Sequence, residues 1–319
     1  HRALFSRRAA GGWIRDVHGD LHCEHVCFAP DGIQIYDCIE FSPKLRYCDL
    51  ASEIGFLLMD LQVRGGGGFA PDFLATYLKR MEDSDLPTLL PFYKCYRALV
   101  RAKVEAMRAS PAEAGRSRYF QHAARFMWDA FKPFAVIVCG LTGSGKSTLA
   151  RALGDRIGVP VMNSDVVRKR LAGESGSSVV PFEAGIYSRE MTEATYAAMI
   201  EEAEKELSAG NAAILDATFG RRIDRQRVLE LAKRYSVPLT VIHCAASEES
   251  TKTRLAQRAE EGKDISDGRW EIYLRQREIF EPLAEIDSQS CLELNTEAAP
   301  EGLVRAAEAF IMARAQRSG

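Results

Sequence analysis

The sequence predicts an α/β fold, a parallel sheet with helices on both faces, behind a mostly helical leading segment. Three observations predict it. From residue 134 onward, short apolar runs alternate with amphipathic helical patterns. The glycine-rich run Gly140-Leu141-Thr142-Gly143-Ser144-Gly145-Lys146-Ser147-Thr148 stands between the first apolar run and the first helical pattern. Lys132-Pro133 interrupts the periodicity just before that run. The alternation implies right-handed crossovers and puts the chemically active loops at the carboxyl ends of the strands.

The elements follow in order. Residues 13–20, 25–29 and 33–36 read as short strands, or as a loop and a hairpin turned by Pro30-Asp31-Gly32. Residues 52–63 form an apolar helix, and a flexible stretch follows at 65–68. Helical spacing then covers 71–82, 89–108 and 111–131, so the leading segment ends as a helical bundle. The boundary falls at the proline, dividing the chain into domains 1–133 and 134–319. In the second domain, strands are expected at 135–139, 159–162, 212–216, 239–244 and 291–295. Helices are expected after the glycine-rich loop, around 166–172, and at 185–208, 222–235, 248–260, 267–280 and 301–316.

Bulk composition narrows the function classes. At 319 residues the chain is long enough for two cores. A net charge of −2 leaves any polyanion binding to a local basic groove. No apolar run has the roughly 18 residues a membrane span needs, and no signal-like segment opens the chain. Eight irregularly spaced cysteines fit reduced thiols, and the expected compartment is the cytoplasm. The chain starts at His1 in text that reads like the middle of a domain, so a fragment is expected.

The glycine-rich run has the pattern of a loop that wraps a triphosphate with backbone N–H groups at a helix N-terminus. Gly140, Thr142, Gly143, Ser144, Gly145, Lys146, Ser147 and Thr148 are the expected phosphate contacts. Lys146 is placed to reach the β- and γ-phosphates and Ser147 to ligate magnesium, which makes ATP and Mg²⁺ the expected cofactors. Asp165 closes the second strand, with Arg168 one turn later. Asp165 suits a general base for an attacking hydroxyl and Arg168 an acceptor anion; the alternative is an N-cap and a surface arginine. Asp216, ending the run Ile214-Leu215-Asp216, suits an acceptor for magnesium-bound water, or a loop cap. Arg254 and Arg258 share a helix face ahead of Glu261-Gly262-Lys263-Asp264, as lid arginines or as a solvated face. Arg221, Arg222, Arg225 and Arg227 form either an acceptor groove, with Arg222 as a contact, or a basic surface.

On these motifs, residues from 134 to about 295 resemble P-loop kinases of the group that includes polynucleotide 5′-kinases, gluconate-kinase-like enzymes and zeta-toxin-like kinases. The resemblance implies a P-loop NTPase-type parallel sheet and Asp165 as the base. It implies Arg168 as an acceptor-binding residue and Arg254 or Arg258 as the lid arginine. In the leading segment, Val17-His18-Gly19-Asp20-Leu21-His22, then Ile35-Tyr36-Asp37, then Tyr47-Cys48-Asp49-Leu50-Ala51, resemble the C-lobe of aminoglycoside-phosphotransferase-like kinases. That resemblance covers about 13–131 and implies Asp20 as catalytic base and Asp37 as a magnesium ligand. Such a lobe joined to a P-loop kinase is similar to a bifunctional bacterial architecture.

Two departures matter. His25 stands where that lobe has a magnesium-binding Asn, and imidazole is a poorer ligand for a hard cation. Nothing before His1 in the given sequence supplies the glycine-rich loop or its lysine, so the lobe as given is not expected to work as a kinase; a full-length parent is expected either to work as one or to use the lobe to recognise a partner. A zinc reading competes, since His22, Cys23, His25 and Cys27 crowd together with Cys38 and Cys48, but their spacing matches no common zinc pattern.

The leading expectation is phosphoryl transfer from ATP to a hydroxyl, either a polynucleotide 5′-hydroxyl or a small polyol or sugar. The alternative is an ATP-binding or ATP-hydrolysing regulatory module whose helical leading segment engages a partner. No membrane partner is expected, and the sequence leaves the oligomeric state open.

Overall fold

The computed structural model describes residues 2–108, 117–173, 188–261 and 270–318, without the side chains of 258–261 and 317–318. The chain forms two compact units, His1–Ala130 and Phe131–Gly319.

In the first unit, α1 (Arg2–Ala10) precedes β1 (Ile14–Asp16), which pairs antiparallel with β4 (Tyr47–Asp49). Between them lie the hairpin β2 (Val26–Ala29) and β3 (Gly32–Ile35) and the short α2 (Pro43–Arg46). The hairpin turns at Gly32, whose φ of 134° suits glycine. Four further helices complete the unit: α3 (Leu50–Val63), α4 (Ala70–Met81), α5 (Leu86–Arg108) and α6 (Arg118–Asp129). The sequence places the start of α3 at 52; it begins at Leu50 because the Asp49 carboxylate accepts from Ala51 N and caps it. Residues 111–116 of the expected last helix lie outside the described residues.

Apolar residues surround α3, and it is buried on both sides. Phe56, Met59 and Val63 pack with Ala98, Ala102, Tyr119, Ala123 and Phe126 of α5 and α6. Ala51, Ile54 and Leu58 pack with Leu4, Leu86, Leu89 and Leu90. At Gly55 the two longest helices touch closely, since a Cβ there would lie 2.9 Å from the Tyr93 Cβ.

Arg8, fully buried, ties this unit's distant segments together. Its guanidinium donates to both oxygens of Asp49 at 2.8 Å and to Asp83 at 2.6 and 2.8 Å, beneath the Trp13 ring.

The second unit is a five-stranded sheet in the order β6 (Val161–Asn163), β7 (Ala213–Asp216), β5 (Ala135–Cys139), β8 (Leu239–Ala245), β9 (Cys291–Asn295), every pair parallel. Every residue of β5 and β7 is buried, as strands covered on both faces require. The helices are α7 (Lys146–Ile157), α8 (Ser164–Leu171), α9 (Arg189–Ser208), α10 (Arg222–Arg234), α11 (Glu248–Glu261), α12 (Trp270–Ile279) and α13 (Pro300–Ser318). The α/β class read from the sequence is the class observed. Residues 185–187 and 267–269, expected as helix, lie outside the described residues. No described helix is long and apolar enough to cross a membrane.

Arg8→Met would leave two carboxylates buried without their cation. It is expected to cost about 3–5 kcal/mol of first-unit stability. Urea titration of the full chain, followed by tryptophan fluorescence, measures this; a loss under about 1 kcal/mol contradicts the role given to Arg8.

Candidate active site

The glycine-rich run leaves β5 and enters α7. Gly140, Gly143 and Gly145 have φ of 142°, 75° and 82°. A Cβ on Gly140 would lie 2.3 Å from Cys244 O, so this loop closes against β8 only with glycine there. Lys146 is the first residue of α7, with Nζ 3.4 Å from Leu141 O. Ser147 is half-buried and Thr148 exposed.

Strand register sets the next layer. Val138, Asp216 and Asn163 lie side by side at the carboxyl ends of β5, β7 and β6. Asp216 is buried, and Asn163 Nδ2 donates to its Oδ2 at 2.6 Å and to Ser147 Oγ at 3.5 Å. The Ser147 hydroxyl also bonds the carboxylate. Burial pushes the Asp216 carboxyl above the usual range, against the Lys146 charge and the bonds from Ser147 and Asn163. Its Oδ1 is buried without a hydrogen-bond partner. A glycine cradle, a hydroxyl, a lysine and an orphaned carboxylate oxygen fit a triphosphate with a hard cation on oxygen ligands.

Asn163 also caps α8, its Oδ1 accepting from Asp165 N and Val166 N at 3.0 Å. Asp165 is therefore not the cap. Its carboxylate accepts instead from Arg168 at 2.7 Å, with the arginine buried and the aspartate partly open to solvent.

The arginines divide. Arg254 lies on the loop, donating to Gly143 O at 3.4 Å, Thr296 Oγ1 at 3.0 Å and Thr296 O at 2.8 Å, while Thr296 Oγ1 donates to Ser144 O. Arg258 belongs to α11, but its side chain lies outside the described residues, as do Gly262, Lys263 and Asp264. Arg225 is fully buried and structural, bonded to Glu285, Phe219 O and Pro282 O. Arg221 is held bidentate by Asp224, and Arg222 is exposed, with its backbone N–H on Glu281. Arg227 is half-buried, and two of the four arginines, Arg221 and Arg225, are taken up by partners within the fold.

Sequence reasoning missed two contacts. Gln276 of α12 accepts from Thr142 N at 2.8 Å, and Thr296 braces the loop from beyond β9. Both join residues more than a hundred positions apart, and no local pattern announces them.

In the first unit, Asp20, His22 and His25 come together with ligand atoms within 4.8 Å of one another. The loop bearing them is held by Gly19, whose N–H meets the Glu53 carboxylate at 3.2 Å and whose carbonyl accepts from Arg97 at 3.1 Å. Burial pushes Glu53 up and outweighs Arg97 and the Gly19 N–H. The His22 bond holds Asp20 below the usual carboxylate range despite partial burial. Asp37 Oδ2 lies 3.3 Å from His25 Nε2. The cysteine part of the zinc reading fails, since no cysteine belongs to this group among the described residues. Cys27 and Cys38 are exposed, and burial with Asp60 pushes the Cys23 thiol up to about 12.

Sheet order, glycine cradle and strand-end carboxylate define a P-loop domain. Residues 136–283 match the family model described as an AAA domain. An uncharacterized protein of Mycobacterium tuberculosis is 34% identical over 273 residues, 82% of this chain and 54% of that protein. The chain thus spans about half the length of the curated relatives it matches first. A shikimate kinase of Rhodococcus jostii is 28% identical over 154 residues, 48% of this chain and 86% of that enzyme. Among solved structures, a gluconokinase from Sinorhizobium meliloti is 19% identical with a TM-score of 0.42, covering 58% of this chain and 95% of that one.

The raised Asp216 carboxyl carries a stability consequence. Its folded form favours the proton, so the contribution is present below the ordinary aspartate range and is lost as pH rises through the raised folded value. Asp216→Asn is therefore expected to raise the melting temperature of the second unit at neutral pH while weakening Mg-ATP binding. The gain should shrink in acid. A variant less stable than the parent at neutral pH contradicts the buried-charge account.

Proposed function

We propose that Phe131–Gly319 is an ATP-dependent phosphotransferase that moves the γ-phosphoryl group to a hydroxyl of a small, anionic acceptor. The observation that carries this reading is the Asp165 and Arg168 pair. Asn163 takes over the cap, leaving a carboxylate and a buried guanidinium together at a strand end beside Ser147 and Asp216. Simple nucleotide binding needs no such pair.

Magnesium-bound ATP supplies the transferable phosphoryl group, and Ser147 with Asp216, through water, would hold the metal. Lys146 places its charge against the phosphates. Asp165 takes the proton of the acceptor hydroxyl, and Arg168 orients Asp165 while attracting the acceptor's anionic group. Arg254, on the loop at Gly143, counters negative charge on the donor side, and Arg258 follows it on the same helix.

A small acceptor is favoured over a polynucleotide. Arg225 is withdrawn into the core and Arg221 is neutralised by Asp224, which leaves little basic surface to track a strand. The relative named shikimate kinase supports the same choice.

The test is transfer of labelled γ-phosphate to a panel of hydroxy acids, sugars and polyols, run beside a 5′-hydroxyl oligonucleotide, with Lys146→Ala as blank. Label is expected in the small-molecule pool. Asp165→Ala should cut transfer about 10² to 10⁴-fold while ATP binding persists. Label on the oligonucleotide overturns the acceptor class. Acceptor-independent hydrolysis indifferent to Asp165 favours a regulatory module instead.

A further inference from the structure

One contact at the phosphate loop is not used by the phosphoryl-transfer reading. Among the described residues, the N–H groups of Gly143, Gly145 and Lys146 meet no protein acceptor, as suits a loop that keeps its donors for phosphate oxygens. Thr142 differs. It is buried, and its N–H donates to Oε1 of Gln276 at 2.8 Å. The other side of the same peptide unit is held as well, because Leu141 O accepts from Lys146 Nζ at 3.4 Å and from Ser144 N at 3.2 Å. The Leu141–Thr142 peptide is thus fixed at both of its polar atoms, on one side by α12 and on the other by the lysine itself.

We propose that Gln276 is a positioning residue of the transfer site: through the Thr142 N–H it sets the Leu141 carbonyl on which Lys146 rests, and so holds the lysine ready for the β- and γ-phosphates. The inference rests on the ATP-dependent reading of this loop. A peptide unit is planar, so fixing the direction of its N–H also fixes its C=O. Gln276 can do this because its helix is itself anchored. Ile272 and Tyr273 of α12 are buried, and Arg277 donates to Glu248 of α11 at 2.6 Å. Just past the helix, Glu281 N donates to Gly220 O at 2.8 Å, and the Glu281 carboxylate takes the Arg222 N–H. Arg254 grips the loop one residue on, donating from α11 to Gly143 O at 3.4 Å. The Gln276 bond joins protein groups only, so it acts by preorganisation. Without it the loop spends less time in the arrangement that binds, and apparent affinity falls by that fraction.

The experiment uses the full chain. Gln276→Met keeps the length and helix propensity of the side chain and removes the acceptor. It is expected to weaken Mg-ATP binding about 2- to 10-fold by calorimetry, and to weaken Mg-ADP, which lacks the γ-phosphate, by less. Exchange of the Thr142 amide, read by NMR without nucleotide, should quicken in Gln276→Met and stay at the parent rate in Gln276→Glu, which keeps an acceptor oxygen. Where an acceptor takes label, Gln276→Met should lower kcat at least ~10-fold and leave the acceptor's KM unchanged. Mg-ATP affinity that is unchanged, or raised as it would be if the carboxamide merely stood in for a phosphate oxygen, overturns the proposal. So do equal losses for the two nucleotides, an amide that exchanges alike in the parent and Gln276→Met or alike in both variants, and an effect confined to the acceptor's KM. A parent that binds Mg-ATP and labels no acceptor sinks the phosphotransferase reading alone, since nucleotide binding and amide exchange still decide on Gln276.

Discussion

The second unit is organised around one uncomfortable charge. Asp216 ends a fully buried strand, and a carboxylate there is tolerable only with partners on every accessible side. Ser147, Asn163 and the Lys146 charge supply most of them, and one oxygen is left unpaired. Asn163 is the link that matters, because its amide nitrogen serves Asp216 while its amide oxygen caps α8. One side chain thereby fixes both the buried carboxylate and the first turn of α8. Relaxing the Asp216 contact would disturb the first turn of α8 and with it Asp165 and Arg168.

The first unit solves a related problem differently. Its central helix α3 has apolar partners on both sides, so the polar loop carrying Asp20 needs fixed anchors at its edge. Glu53 and Arg97 hold Gly19 from both backbone directions, and Asp60 takes the Cys23 N–H. Arg8 fixes Asp49, which starts α3. The loop carrying the His22 and His25 rings is placed by these anchors.

What the sequence made legible is what is local. The glycine-rich run shows itself because its function needs consecutive backbone N–H groups, and the strands of the parallel sheet because both of their faces are apolar. Strand β5 and strand β9 coincide with their expected bounds. The start of α3 was misplaced because the cap lies in a short strand whose pairing is not evident from pattern. Helix α1 was missed because one of its two buried residues, Leu4 and Arg8, is an arginine whose partners stand 41 and 75 positions away. At the site, Asp165, Arg168 and Asp216 were visible as strand-end charges, whereas Asn163's double role and Gln276 depend on tertiary contacts. The arginine run after Asp216 was legible only as charge density, groove or surface, because Glu285 and Asp224, which take up Arg225 and Arg221, are identified only by folding.

Burial of the strand-end carboxylate also decides which cation suits it. Ser147 and Asp216 present oxygen alone, near a lysine, a setting that favours a hard ion arriving with its own phosphate ligands.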